Sequence, residues 1–307
     1  MTTAGTPTTI KTAGAIVRSM RLRTLPLSLA GVVLGSMMAW RNSSFNLGTA
    51  IFLYLTTVLL QILSNMSNET GDYINGTDRD DRQAPKYSLQ SGTLTLPMMK
   101  RCIAATAVAC CLSGTVMVWL ACGSLWQPRA LLLLALGAAA IWAAMHYTLG
   151  KNPYGYRGLG DIFVFLFFGL VSVMGGYYVA GLAVEPLMLL PASAIGLFSV
   201  GVLNTNNIRD MESDRATRLT VPLLIGERNA KIYHTFLISA GWLLLVVYAL
   251  LTATHWWQWL FLLALPLHAV HLAGVWCRRA ATLDPMLPLL VISTFLLALI
   301  IGTTYIL

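Results

Sequence analysis

Nine long apolar stretches follow one another along the chain, separated by short polar connections. A helix that crosses the hydrocarbon core of a bilayer needs about 20 mostly apolar residues. The pattern places such helices near residues 25–40, 48–66, 98–122, 130–147, 161–181, 187–205, 232–252, 256–276 and 286–307, the first being short for a full span. Residues 1–20 are Thr-rich with no hydrophobic period, which predicts a flexible cytoplasmic lead ahead of a single membrane domain over 21–307. Trp256, Trp257 and Trp259 open one apolar stretch, where indole rings anchor at the headgroup level.

Composition agrees with this pattern. Of 307 residues, 57% are hydrophobic and only 10% charged, with a mean hydropathy of +0.70. Soluble domains carry about a quarter charged residues, so the expected fold is all-α, a polytopic bundle of nine transmembrane helices in contact with lipid. Arg21 and Arg23 before the first apolar run resemble a signal-peptide start, yet no small-residue cleavage site follows, and the run reads as a retained helix.

Short loops rich in Lys and Arg stay in the cytoplasm. With nine helices and a cytoplasmic N-terminus, all of the 20 Lys and Arg except Arg41 and Arg129 fall on the cytoplasmic side. The net charge of +8 thus reflects topology and calls for no nucleic acid. No feature demands a protein partner. The five cysteines form no CxxC spacing, the histidines lack carboxylate or cysteine partners, and neither GxxxxGK[ST] nor GxGxxG is present. ATP, dinucleotide and histidine-metal chemistry are therefore not expected.

The acidic residues are unevenly spread. All but Asp161, Glu185, Glu227 and Asp284 of the 12 lie in two clusters at helix ends, 69–81 and 210–214. Carboxylates facing a bilayer interior are costly, so their concentration points to a cation. Asn68 and Asp72 are four apart and share a helix face, Gly71 and Gly76 loosen the helix end, and Asp78 can fold back to the same point. Asn206, Asp210 and Asp214, spaced i, i+4, i+8, make a matching stripe. Hard oxygen ligands of this kind suit Mg2+, which is commonly shared with substrate phosphates. Two facing stripes suggest a diphosphate held between them. Arg79, Arg82, Arg209, Arg215 and Arg218 accompany the clusters and suit phosphate oxygens. Asp80, Asp81 and Glu212 fit an ordinary solvated loop.

Between the clusters, Tyr147 and Lys151 are again four apart at a helix end. Lys151 could neutralise a leaving diphosphate and Tyr147 could face a developing cation with its ring, or both could be interface anchors. Spacing alone leaves these two undecided. Arg23 is most simply a topogenic charge that could also reach a phosphate or carboxylate.

Four segments, 21–26, 65–78, 147–161 and 203–214, together resemble the UbiA-type intramembrane aromatic prenyltransferases, and the likeness spans about residues 18–307. The resemblance implies that Asn68, Asp72 and Asp78 form one magnesium-diphosphate motif, that Asn206, Asp210 and Asp214 form the other, and that Lys151 of a Tyr-x3-Lys element meets the diphosphate. Asn207, Arg82, Arg209, Arg218 and Arg23 are further candidates for substrate contact. Glu69 departs from the family pattern, which usually has Asp there. Within the family the chain is most similar to the branch acting on 1,4-dihydroxy-2-naphthoate. This implies magnesium-dependent, decarboxylating transfer of a polyprenyl group from polyprenyl diphosphate, a step of menaquinone biosynthesis, at the cytoplasmic face of a bacterial inner membrane. The alternatives are a relative using another aromatic acid such as 4-hydroxybenzoate and, from a different class, a cation-coupled transporter. A transporter expects carboxylates mid-helix, whereas these lie at one boundary.

Overall fold

The computed structural model describes residues 9–40, 46–77 and 87–307. Asp78, Asp80, Asp81, Arg79 and Arg82 lie outside the described residues. Helices dominate the rest: α1 (Thr9–Met20), α2 (Leu25–Trp40), α3 (Leu47–Ile74), α4 (Leu96–Cys122), α5 (Pro128–His146), α6 (Gly160–Val164), α7 (Ser172–Gly181), α8 (Leu189–Arg209), α9 (Met211–Asp214), α10 (Val221–Ile225), α11 (Glu227–Thr252), α12 (Leu265–Cys277) and α13 (Met286–Ile306). Among the described residues there is no strand, only an isolated parallel bridge between Arg157 and Leu219. Nine helical segments of the described residues are long and apolar enough to cross a bilayer, so the expected bundle is observed and the protein is multi-pass.

Local signals set the helix ends. Asn46 caps α3 by accepting from the Thr49 N–H at 3.0 Å, and prolines begin α4 and α5 where a missing N–H costs nothing. Gly123 ends α4 in the left-handed region at φ 73°, where glycine has no Cβ penalty. Two boundaries differ from the sequence expectation. The lead expected over 1–20 is helical from Thr9, and Ala15 and Ser19 are buried against neighbouring segments. A short 3-10 turn, entered where Arg21 leaves helical geometry, joins it to α2, and the first candidate span is Thr12–Trp40. Helix α3 runs 28 residues, eight beyond the end expected at 66, and is roughly 42 Å long at 1.5 Å per residue. It overruns a hydrocarbon core of about 30 Å and carries Asn68 and Asp72 to the boundary.

Lipid offers no hydrophobic drive between helices, so small residues that admit close backbone approach hold them together. Gly31 and Gly35 of α2 face Ser172 and Val173 of α7 so closely that a Cβ would overlap them, and Gly176 meets Val32 in the same seam. The span α6–α7 contains a π-helical stretch, Phe165–Val171, whose Gly169 packs on Gly196 of α8. On the other side of α8, His234 and His271 meet buried at Nε2–Nε2 2.9 Å. His271 Nδ1 faces the Met286 carbonyl at 3.0 Å and must donate to it, so α11, α12 and α13 are joined by a neutral imidazole pair.

An apolar cavity of about 330 Å³ lies between α3, α4, α5 and the α6–α7 span. Leu60, Met117, Leu136, Ala140, Phe163 and Phe167 line it, and Asn68 and Tyr147 stand among its few polar walls.

Candidate active site

The end of α3 supplies Asn68 and Asp72. Its last turns remain helical although polar because neighbouring segments bury them: Ser67, Glu69, Thr70 and Asp72 are all inaccessible. Gly71 does not end the helix. A Cβ there would strike Thr148, so the glycine lets the connection after α5 lie against α3. Thr148 Oγ1 donates to the Ser67 carbonyl at 3.0 Å and lies 3.3 Å from Asn68 Oδ1, fixing the amide beside the cavity.

Asp72 is the meeting point of the site. Its Oδ1 accepts from the Tyr156 hydroxyl at 2.8 Å and from Arg218 Nη2 at 3.3 Å. Arg218 Nε lies 3.1 Å from Asp214 Oδ1, so one guanidinium bridges the two acidic clusters. Burial works against the Arg218 charge, but Asp72 and Asp214 outweigh it and hold its pKa above the ordinary value. Tyr156 is pushed up by burial and by the Asp72 charge, so it stays a hydroxyl donor.

The second cluster is organised by Arg209. This buried side chain grips Asp210 with Nε at 2.8 Å and Nη2 at 2.7 Å, donates from Nη2 to Asn206 Oδ1 at 2.8 Å, and reaches Asp284 with Nη1 at 2.6 Å. Asn206 Nδ2 is 3.5 Å from Asp210 Oδ2, and Asn207 is buried on α8. The Asn206, Asp210, Asp214 stripe is not one straight helix. Asp210 leaves helical geometry at φ −95°, ψ 9°, yet the Asp214 N–H still bonds the Asp210 carbonyl at 2.9 Å, and the turn persists.

The remaining candidates separate. Tyr147 borders the cavity, its ring edge-on to Tyr154 with centroids 5.4 Å apart. Burial pushes its hydroxyl up to about 12. Lys151 and Arg23 are exposed, and no described residue ties either to the acidic clusters. Arg21, two residues earlier, has φ 49° and lays its guanidinium over the Tyr87 ring at 3.8 Å. Asn65 fixes this junction through Met20 O at 2.8 Å and Thr24 Oγ1 at 2.9 Å. Glu69 is buried, and its Oε1 accepts the Leu89 N–H at 2.9 Å. Sequence reasoning missed Tyr156 and Asp284 as partners. Tyr156 had stood in the Tyr147–Asp161 element, whereas Asp284 had no spacing signature at all. Among the described residues no three acidic, histidine or cysteine side chains form a group that could by itself hold a metal ion.

Residues 28–285 match the model of the UbiA prenyltransferase family. The chain belongs to the UbiA family. Two bacterial relatives named 1,4-dihydroxy-2-naphthoate octaprenyltransferase support this membership. That of Escherichia coli (strain K12) is 42% identical over 254 residues, 82% of this chain and 82% of its own. That of Haemophilus influenzae (strain Rd) is 38% identical over 292 residues, 92% and 94% of the two. A solved UbiA homologue from Aeropyrum pernix K1 has the same fold, with a TM-score of 0.69 at 20% identity over 92% of this chain and 97% of that one. As a UbiA-family member this chain is a prenyltransferase embedded in a membrane.

Proposed function

We propose that this prenyltransferase joins a polyprenyl group from polyprenyl diphosphate to 1,4-dihydroxy-2-naphthoate with loss of the acceptor's carboxylate, giving demethylmenaquinol and diphosphate. The acceptor is the one for which the relatives at 42% and 38% identity are named. The chemistry rests on one observation: Arg218 touches both Asp72 and Asp214 beside a cavity that is apolar along most of its wall. Carboxylates that can share a divalent cation with phosphate, near an apolar cavity bordered by Asn68 and Tyr147, suit a ligand with an anionic head and a hydrocarbon tail.

The oxygens of Asn68, Asp72, Asn206, Asp210 and Asp214, with Asp78 outside the described residues, are hard donors of the kind Mg2+ prefers, and Mg2+ is commonly shared with substrate phosphates. Bound there, Mg2+ would supply positive charge for the departing diphosphate. Arg218, and Lys151 from the rim, would add charge-assisted contacts to phosphate oxygens as the allylic C–O bond breaks. Tyr147, held neutral, would present its ring to the allylic cation, and the cavity wall would keep water from it. The electron-rich naphthoate ring would then attack carbon.

By the positive-inside rule the site faces the cytoplasm of a bacterial inner membrane, with the N-terminus on that side. Incubating purified protein with Mg2+, a polyprenyl diphosphate and a panel of aromatic acids, with products read by mass, tests the reading. The expected product is the prenylated naphthol lacking the carboxyl group. Equal use of 4-hydroxybenzoate, or no transfer at all, would overturn it.

A further inference from the structure

Two arginines lie among the acidic side chains, and the quality of their bonds differs. Arg209 is held tightly, with four contacts to Asp210, Asn206 and Asp284 between 2.6 and 2.8 Å. Charge-assisted bonds of this kind are expected at about 2.7–2.9 Å. Arg218 is held more loosely. Its contact with Asp72 is 3.3 Å, and Nε, although 3.1 Å from Asp214, finds no acceptor in hydrogen-bonding alignment. One guanidinium offsets part of the charge of two carboxylates without satisfying its own bonding geometry.

Charge balance is needed because Asp72 and Asp214 are both inaccessible, with side chains 5% and 1% exposed. Buried carboxylates left without a counter-charge are strongly destabilising. A long, flexible side chain on the turn after Asp214 meets that need, since the Arg218 N–H bonds the Asp214 carbonyl at 3.0 Å while the guanidinium reaches across to Asp72. The face of Tyr156, 5.3 Å from the guanidinium, offers a weak second contact along the way.

We propose that Arg218 is an exchangeable placeholder cation. In the metal-free protein it fills the position between Asp72 and Asp214, and it gives way when a divalent metal arrives with a diphosphate, turning its charge onto phosphate oxygens. Arg209, with four short bonds, stays in place. This inference rests on the metal-diphosphate reading of the site and adds an order of binding to it. Metal alone must displace Arg218 into solvent and so binds weakly. Metal with diphosphate gives the displaced guanidinium a new anionic partner, so each strengthens the other's binding by the same factor.

Mn2+ binding to the detergent-solubilised full chain, followed by the paramagnetic signal of free Mn2+ with and without inorganic pyrophosphate, tests the proposal apart from turnover. R218Q should bind Mn2+ alone roughly fivefold to tenfold more tightly than the parent and lose most of the strengthening that pyrophosphate brings. R218K, which keeps the charge but not the planar fork, should fall between the two, and it decides the matter should R218Q fail to fold. Unchanged or weaker binding of Mn2+ alone by both variants would overturn the placeholder role while leaving the metal site standing. Absence of Mn2+ binding to the parent even with pyrophosphate would instead overturn the metal-diphosphate reading, and the placeholder with it.

Discussion

Asp72 and Arg218 meet at 3.3 Å although 146 positions separate them in the chain. Their contact brings the end of α3 to the turn beyond α9, so the two acidic clusters share one compartment.

That sharing predicts joint dependence. Asp72→Asn, which keeps the shape but not the charge, should lower magnesium-dependent transfer by about 10²–10³-fold with membrane insertion intact. Asp210→Asn should do the same and also unfold at lower temperature, because it removes one of two carboxylate partners of a buried arginine, a loss of about 1.5–3 kcal/mol. Product mass and thermal unfolding in detergent check both. Full activity in either variant would remove the two-cluster site.

Glu69 predicts a different phenotype. Its carboxylate holds Leu89, in the segment that returns from residues 78–86, where Asp78 lies. Glu69→Ala should raise KM for polyprenyl diphosphate several-fold more than it lowers kcat, while Glu69→Gln, still able to accept the Leu89 N–H, should remain near the parent. A pure kcat defect in Glu69→Ala would mean that Glu69 acts on the chemistry instead.

The cavity wall predicts chain-length selection. Gly175 borders the cavity, and a Cβ added there meets nothing within 4 Å. Gly175→Leu should fold normally and reduce use of an octaprenyl donor far more than a geranyl one. Competition between the two donors in one reaction measures this. An unaltered ratio would place the tail elsewhere.

Tyr147 predicts a flat pH response. Since burial raises its pKa to about 12, proton loss sets in only as pH approaches that value, and the hydroxyl remains neutral from about pH 7 to pH 10. Tyr147→Phe should therefore retain activity within about threefold across that interval, whereas Tyr147→Leu, which removes the ring, should lose considerably more. Steep pH dependence that disappears in the Phe variant would show that a phenolate takes part.

The spans were legible because length and apolarity alone define them, but the last turns of α3 were not. Ser67, Glu69 and Asp72 look like loop residues until other segments bury them. In the same way, spacing paired Asn206 with Asp210 and Asp214, but nothing in the sequence joined Arg209 to Asp284, which lies in a distant connection. Lys151, which spacing left undecided, proves exposed, whereas Arg218, one arginine among several, lies between Asp72 and Asp214. Local pattern identified the chemistry present, and only tertiary contact assigned each charge its partner.

The Leu219 N–H donates to the Tyr156 carbonyl at 3.0 Å, next to the Arg157–Leu219 bridge. Tyr156 and Arg218, which both hold Asp72, thus belong to backbones stitched to one another. A backbone change in either connection is therefore felt by both partners of Asp72 together.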